Sequence, residues 1–87
     1  MNGRRLILKD GAIIENGEAG YSDGFLWLWI PNRTISDVAA IFFDASKTSC
    51  ITFQFGDEQE KYEGFTNCMG LSVGTDGVVS VCMVKGE

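Results

Sequence analysis

This chain has no histidine, one proline and three cysteines. Each scarcity narrows the chemistry. Without histidine there is no side chain whose ordinary pKa suits acid–base work near neutral pH. Gly70-Leu71-Ser72-Val73-Gly74 matches the G-x-S-x-G pattern of a nucleophile elbow. Such a serine needs a base to take its proton, and none is at hand. The elbow also needs a helix after it, and here a hairpin signal follows. The stretch therefore reads as a strand running into a turn. Cys50, Cys68 and Cys82 are widely spaced, odd in number and without a C-x-x-C pair. That pattern fits neither a disulfide framework nor a zinc site. The cysteines are expected to be reduced, with Cys50 and Cys82 filling small packing positions. Neither a cofactor nor a metal is expected.

Basic residues are also few, seven against twelve acidic, for a net charge of −5. Phosphate affinity comes from clustered Lys and Arg, so nucleic acid is not an expected partner. An anionic membrane surface is not one either. No apolar stretch approaches the roughly 20 residues that span a bilayer. At the start, Arg4 and Arg5 precede only Leu6-Ile7-Leu8 before Lys9-Asp10, too short a core for a signal peptide. The expected location is therefore the cytoplasm. Asn32-Arg33-Thr34 matches a glycosylation sequon, but without a secretory signal it reads as the start of a helix.

What the chain does have is glycine and an apolar run that holds both tryptophans. Eleven glycines against a single proline point to many tight turns, as in a strand-rich fold. Eighty-seven residues make one domain, residues 1–87, which buries only about 60% of its unfolded surface. Phe25-Leu26-Trp27-Leu28-Trp29-Ile30 is an apolar run of six and holds both tryptophans. As a strand it points Phe25, Trp27 and Trp29 one way and Leu26, Leu28 and Ile30 the other. Such a strand needs cover on both faces. Either all six side chains are core, or one face, that of Phe25, Trp27 and Trp29, is an interface.

The other elements follow from periodicity and turn chemistry. Arg4 to Lys9 and Ala12 to Glu15 form a hairpin about Asp10-Gly11. Asn16 to Gly24, rich in Gly, Asn, Ser and Asp, reads as a loop. Pro31 ends the central strand. Thr34 caps a helix from Ile35 to Asp44, with Ile35, Val38, Ala39, Ile41, Phe42 and Ala45 on its apolar stripe. Phe43 lies off the centre of that stripe. Ile51, Phe53 and Phe55 alternate with Cys50, Thr52 and Gln54, and Gly56-Asp57 turns into a polar strand, Glu58 to Glu63. Gly64 marks a bulge or bend. Thr66 to Val73 and Val78 to Val84 form a last hairpin about Asp76-Gly77. The order is β-β-β-α-β-β-β-β. It predicts an α+β fold, a mostly antiparallel curled sheet forming a roll or partly open barrel, with one short helix. One helix covers only part of a sheet face, so the sheet must curl or leave an apolar patch for a partner.

Asp57, Glu58, Glu60 and Glu63 gather around a turn, with Lys61 among them. They read as a solvated, edge-protecting hairpin or as a contact surface for a basic partner. A catalytic carboxylate pair needs a deep cleft, for which so small a domain has little room.

Taken in order, the features resemble those of a known group. They are Leu6-Ile7-Leu8-Lys9-Asp10-Gly11, Leu26-Trp27-Leu28-Trp29-Ile30, Asp37-Val38-Ala39-Ala40-Ile41-Phe42-Phe43-Asp44 and Lys47-Thr48, then Ile51-Thr52-Phe53 with Gly56-Asp57, Tyr62-Glu63-Gly64-Phe65-Thr66 and Val79-Ser80-Val81-Cys82-Met83. The group is the small proteins encoded in siphophages and prophages of gut Gram-positive bacteria, whose genes lie near tail or virion-assembly genes. The resemblance implies a phage-related origin and a non-enzymatic binding or assembly role, in the host cytoplasm or the virion. It carries over no site residues. The expected function is protein–protein contact, with another protein or by self-association, through Tyr21, Trp27, Trp29 and Phe43. The alternatives are an acidic inhibitor of a host defence nuclease, acting through Asp57, Glu58, Glu60 and Glu63, and a purely structural domain.

Overall fold

The computed structural model describes residues 3–86. Eight strands and two short helices follow one another: β1 (Arg4–Ile7), β2 (Ile13–Glu15), β3 (Glu18–Ser22), β4 (Phe25–Ile30), α1 (Ile35–Phe42), α2 (Ala45–Thr48), β5 (Cys50–Phe55), β6 (Glu58–Glu63), β7 (Asn67–Val73) and β8 (Val79–Val84). Successive strands pair as four hairpins, and the hairpins alternate between two sheets. The first and third make the sheet β2-β1-β5-β6; the second and fourth make β3-β4-β8-β7. Every pairing is antiparallel. The fold is thus α+β and antiparallel, as expected, but built as two open sheets over a shared core rather than as one curled sheet.

The expected loop from Asn16 to Gly24 is a correction. It contains β3, which pairs along its whole length with β4, from Glu18 opposite Trp29 to Ser22 opposite Phe25. Polar, glycine-containing composition hid a strand whose stability comes from its neighbour rather than from propensity. Gly20 has a specific use there. A Cβ at that position would lie 3.5 Å from Trp29 Cζ3, so the indole leans over the bare backbone. Asp23 and Gly24 both take positive φ, 53° and 85°, and make the tight hairpin turn.

The helix is also corrected. α1 stops at Phe42, short of Asp44, and Asp44 then caps a separate single turn, α2. Its carboxylate accepts from the Ser46 backbone N–H at 3.0 Å and from Ser46 Oγ at 2.6 Å. These bonds hold the Asp44 carboxyl below its ordinary range. They give the backbone an alternative to continuing the helix. At the other end of α1 the expected cap forms, and Asp37 N–H donates to Thr34 Oγ1 at 3.1 Å. Thr34→Ala is expected to cost about 1 kcal/mol, read from the urea midpoint.

One core joins the layers. The inward side of β4 supplies Leu26, Leu28 and Ile30, and β8 supplies Val79, Val81 and Met83. The other sheet supplies Leu6, Ile14, Ile51 and Phe53, and α1 supplies Val38 and Phe42. All of these are buried. α1 turns Val38 and Phe42 to this core and leaves Ile35 exposed, and the far side of β4 is open.

Candidate contact surface

That far side is where the second face of the apolar run lies. Phe25, Trp27 and Trp29 alternate with the buried residues of β4 and are 40%, 39% and 39% exposed. The cross-strand register shows why the rings stand out. In the row through Trp27 the neighbours are Gly20 on β3 and Cys82 on β8, with Gly70 on β7 beyond. In the row through Trp29 they are Glu18, Ser80 and Ser72. Small side chains flank large ones, so the indoles are supported from beside and left open above. The Phe25 and Trp27 ring centroids are 6.4 Å apart.

An irregularity on β7 completes the surface. The register shifts between Cys68 and Gly70, which places Met69 in a bulge. Met69 is 62% exposed. It and Trp27 flank a shallow groove of about 310 Å³ floored by Gly70, Ser72, Ser80 and Cys82. Bulges re-aim side chains in this way, and a flexible thioether beside an indole makes an adaptable apolar contact. Among the strand positions of this face only Glu18 is charged, and it pairs with Arg4 at 3.3 Å. The outward positions of the other sheet differ, with Glu15, Arg5, Gln54 and Gln59 in one row and Lys61 and Glu63 in others.

The four expected contact residues do not form one patch. Trp27 and Trp29 lie together. Tyr21 pairs with Leu26, so it is out of phase with the tryptophans, and its ring meets Phe65 edge-on at 5.7 Å. Phe43, 63% exposed, sits at the C-cap of α1, on the helix layer. Met69 was missed, because a bulge depends on pairing between strands; Gly70 beside it was the one local sign.

The acidic group divides as well. Glu58 and Glu60 stand opposite Phe55 and Phe53, in phase with the inward side of β5. Glu63 stands opposite Cys50 and shares its side of β6 with Lys61. Asp57 lies in the turn, beside a depression that also holds Arg5 and Glu15. The four carboxylates therefore make no single acidic surface.

Tyr62 O–H donates to Glu60 Oε1 at 2.7 Å. Burial, then this bond and the neighbouring carboxylate charge, push the phenol up to about 12. The folded state holds that proton more tightly than the unfolded chain, whose tyrosine titrates near 10. Stability from this group is fully present below about pH 10 and is lost as pH rises toward 12. Tyr62→Phe is expected to flatten the fall in stability over that window, followed by urea melts at stepped pH. An equal fall in both proteins would contradict the assignment.

All three cysteines are free and half-buried. Cys68 donates its S–H to the Gly70 carbonyl at 3.8 Å, and burial raises its thiol pKa. A thiol held protonated is a poor nucleophile. No helix among the described residues is long and apolar enough to cross a membrane. No protein-family model, curated protein or solved structure matches this chain.

Proposed function

We propose that this chain is a non-enzymatic binding module whose contact surface is the Phe25, Trp27, Trp29 and Met69 face, serving as an accessory of phage tail or virion assembly. The observation that carries the contact surface is the row of three half-exposed aromatic rings on a sheet face with almost no charge. The assembly role comes from the resemblance in chain order described above. Tryptophan is enriched among the residues that dominate interface energies. A rigid interior strand presents these rings at low entropic cost. The neighbouring edge supports the same reading. β7 carries no charged residue, whereas the edge strand β6 carries Glu58, Glu60, Lys61 and Glu63. Charged edges discourage strand pairing and uncharged ones permit it. The reading as a nuclease inhibitor is set aside, because its carboxylates do not share a face.

The test uses Trp27→Ser combined with Trp29→Ser. Solution mass is measured by light scattering over a wide concentration range, and binding is measured against purified phage tail and virion proteins. The double variant is expected to weaken self-association or partner binding by at least roughly 30-fold, the loss typical of an interface hot spot. Association left unchanged by the double substitution would sink the reading.

A further inference from the structure

β7 closes one sheet, and its outer edge is free. The order β3-β4-β8-β7 gives it a single neighbour. Among the described residues, no backbone group outside β8 bonds Asn67–Val73. The hairpin shows which groups are left over. Gly74 N–H donates to Val78 O at 2.9 Å, and Gly74 O accepts from Gly77 N–H at 3.0 Å. Gly74 and Val78 are thus the hydrogen-bonded pair that closes the hairpin. Bonded and unbonded pairs alternate along an antiparallel ladder. Val73 and Leu71, opposite Val79 and Val81, therefore turn their N–H and C=O away from β8 and toward the free edge. The register is regular from Gly70 to Val73, and the bulge at Met69 lies before this stretch.

The same two residues leave apolar surface open. Val79 and Val81 are buried, so Val73 and Leu71 opposite them stand on the core side of the sheet. Leu71 packs against the core, yet Val73 is 52% exposed. Its phase in the strand points it inward, and the edge leaves it without a neighbour on that side.

Charge selects the occupant. The other three edge strands are charged: β2 has Glu15, β3 has Glu18, and β6 has Glu58, Glu60, Lys61 and Glu63. β7 carries no charge at all. In a chain of net charge −5, it is the edge strand that can meet its own copy without setting like charges face to face.

We propose that two copies of this chain join through β7, antiparallel, about a two-fold axis at Ser72. That register sets Leu71 of each copy opposite Val73 of the other. Both residues offer their backbone groups to the edge, so the two pairs exchange four N–H···O bonds. Their side chains lie on the core side and cover one another. An axis at Leu71 would instead set Val73 against the Met69 bulge, where the ladder is broken. The product is one eight-stranded sheet. A two-fold perpendicular to a sheet keeps its sides, so both copies show Phe25, Trp27 and Trp29 on the same face. The two β4 strands then lie five strand spacings apart, about 24 Å. The inference goes beyond the reading of the Trp27 face and does not rest on it. Self-association belongs to β7, the Trp27 face is left to the partner protein, and the loss in the double tryptophan variant is then read on partner binding.

A contact this small is expected to give a dimer with a dissociation constant on the order of 0.1 mM, measured by sedimentation equilibrium. Ser72→Lys sets like charges opposite each other at the axis and should weaken the dimer by at least roughly fivefold. Trp27→Ser with Trp29→Ser should leave it unchanged. Ser72→Cys should be trapped as a disulfide-linked dimer under mild oxidation, because residues opposed at the axis bring their Cβ atoms within about 5 Å. Gly70→Cys stands off the axis, with its new side chain in open space, and should not be trapped. The unchanged chain, with its three half-buried thiols, gives the background. Ser72 and Gly70 are exposed, so folding survives these changes. The proposal is overturned if the chain stays monomeric at concentrations on the order of 1 mM, if Ser72→Lys leaves the dimer intact, or if Gly70→Cys is trapped as readily as Ser72→Cys. A monomer would leave the Trp27 face to be judged on partner binding alone. A dimer lost in the double tryptophan variant and kept in Ser72→Lys would move the self-contact to that face.

Discussion

Phe42→Ala is expected to remove about 3–5 kcal/mol of stability, while Phe43→Ala, one residue later, should change it by no more than about 0.5 kcal/mol. The two side chains are chemically identical and differ only in where the helix points them. Phe42 is fully buried among Val38 and the inward residues of both sheets, and Phe43 is largely exposed at the cap. Removing the buried ring forfeits its transfer energy and leaves a cavity that a tightly packed core fills only partly. The whole stability of a domain is about 5–15 kcal/mol, and a chain this short has a small core to draw on. Phe42→Ala should therefore leave much of the chain unfolded at physiological temperature. Urea melts followed by far-ultraviolet circular dichroism check both variants. Similar midpoints for the two would mean that α1 is not docked by Phe42.

That contrast was readable beforehand, and the reason is periodic. A helix turns about 100° per residue, so Phe43 falls outside the stripe on which Val38, Ile41 and Phe42 meet the core. The same holds for β4 and β8, where strict alternation separates the buried residues from their neighbours. Turn chemistry was equally local. Asp76 Oδ1 accepts from Val78 N–H at 3.0 Å, and Gly77 takes φ 82°, as an Asp-Gly turn requires. Elements defined by their own residues were legible. β3 was not, because Glu-Ala-Gly-Tyr-Ser has no periodic apolar pattern and becomes a strand only beside β4. The division into two sheets was hidden for the same reason. It depends on β1 choosing β5 and β4 choosing β8, pairings separated by long stretches of chain.

The candidate contact surface follows the same rule. Trp27 and Trp29 share a strand, so their common face could be read from spacing alone. Tyr21 and Phe43 were grouped with them by residue type, and residue type carries no position. A concavity over Phe65 draws on β3, β6 and the segments before β7 and after β8. No window of sequence contains it. Asp57 to Glu63 shows the converse, since residues adjacent in sequence were separated by strand alternation.

Gly17→Ala is expected to destabilise the protein by about 1–2 kcal/mol. The chain crosses from one sheet to the other between β2 and β3, and Gly17 is the buried residue at that crossing. A Cβ there would lie 2.8 Å from Leu6 Cδ1 and 2.9 Å from Leu6 Cγ, with Ile14 Cγ2 at 3.4 Å. Leu6 and Ile14 are both buried in the core and have little room to give. Two effects compete. Replacing glycine by alanine lowers the entropy of the unfolded chain and favours folding by about 0.4–1 kcal/mol. Forcing an extra methyl group into a packed core costs about 1–3 kcal/mol. The second effect is the larger, because both nearest atoms belong to one fully buried side chain. If the clash with Leu6 is the cause, shortening that side chain should relieve it. Leu6→Val alone should destabilise, but Gly17→Ala with Leu6→Val should cost less than the sum of the two single changes. Strict additivity would place the strain in the backbone of the crossing, where Asn16 already holds φ 63°.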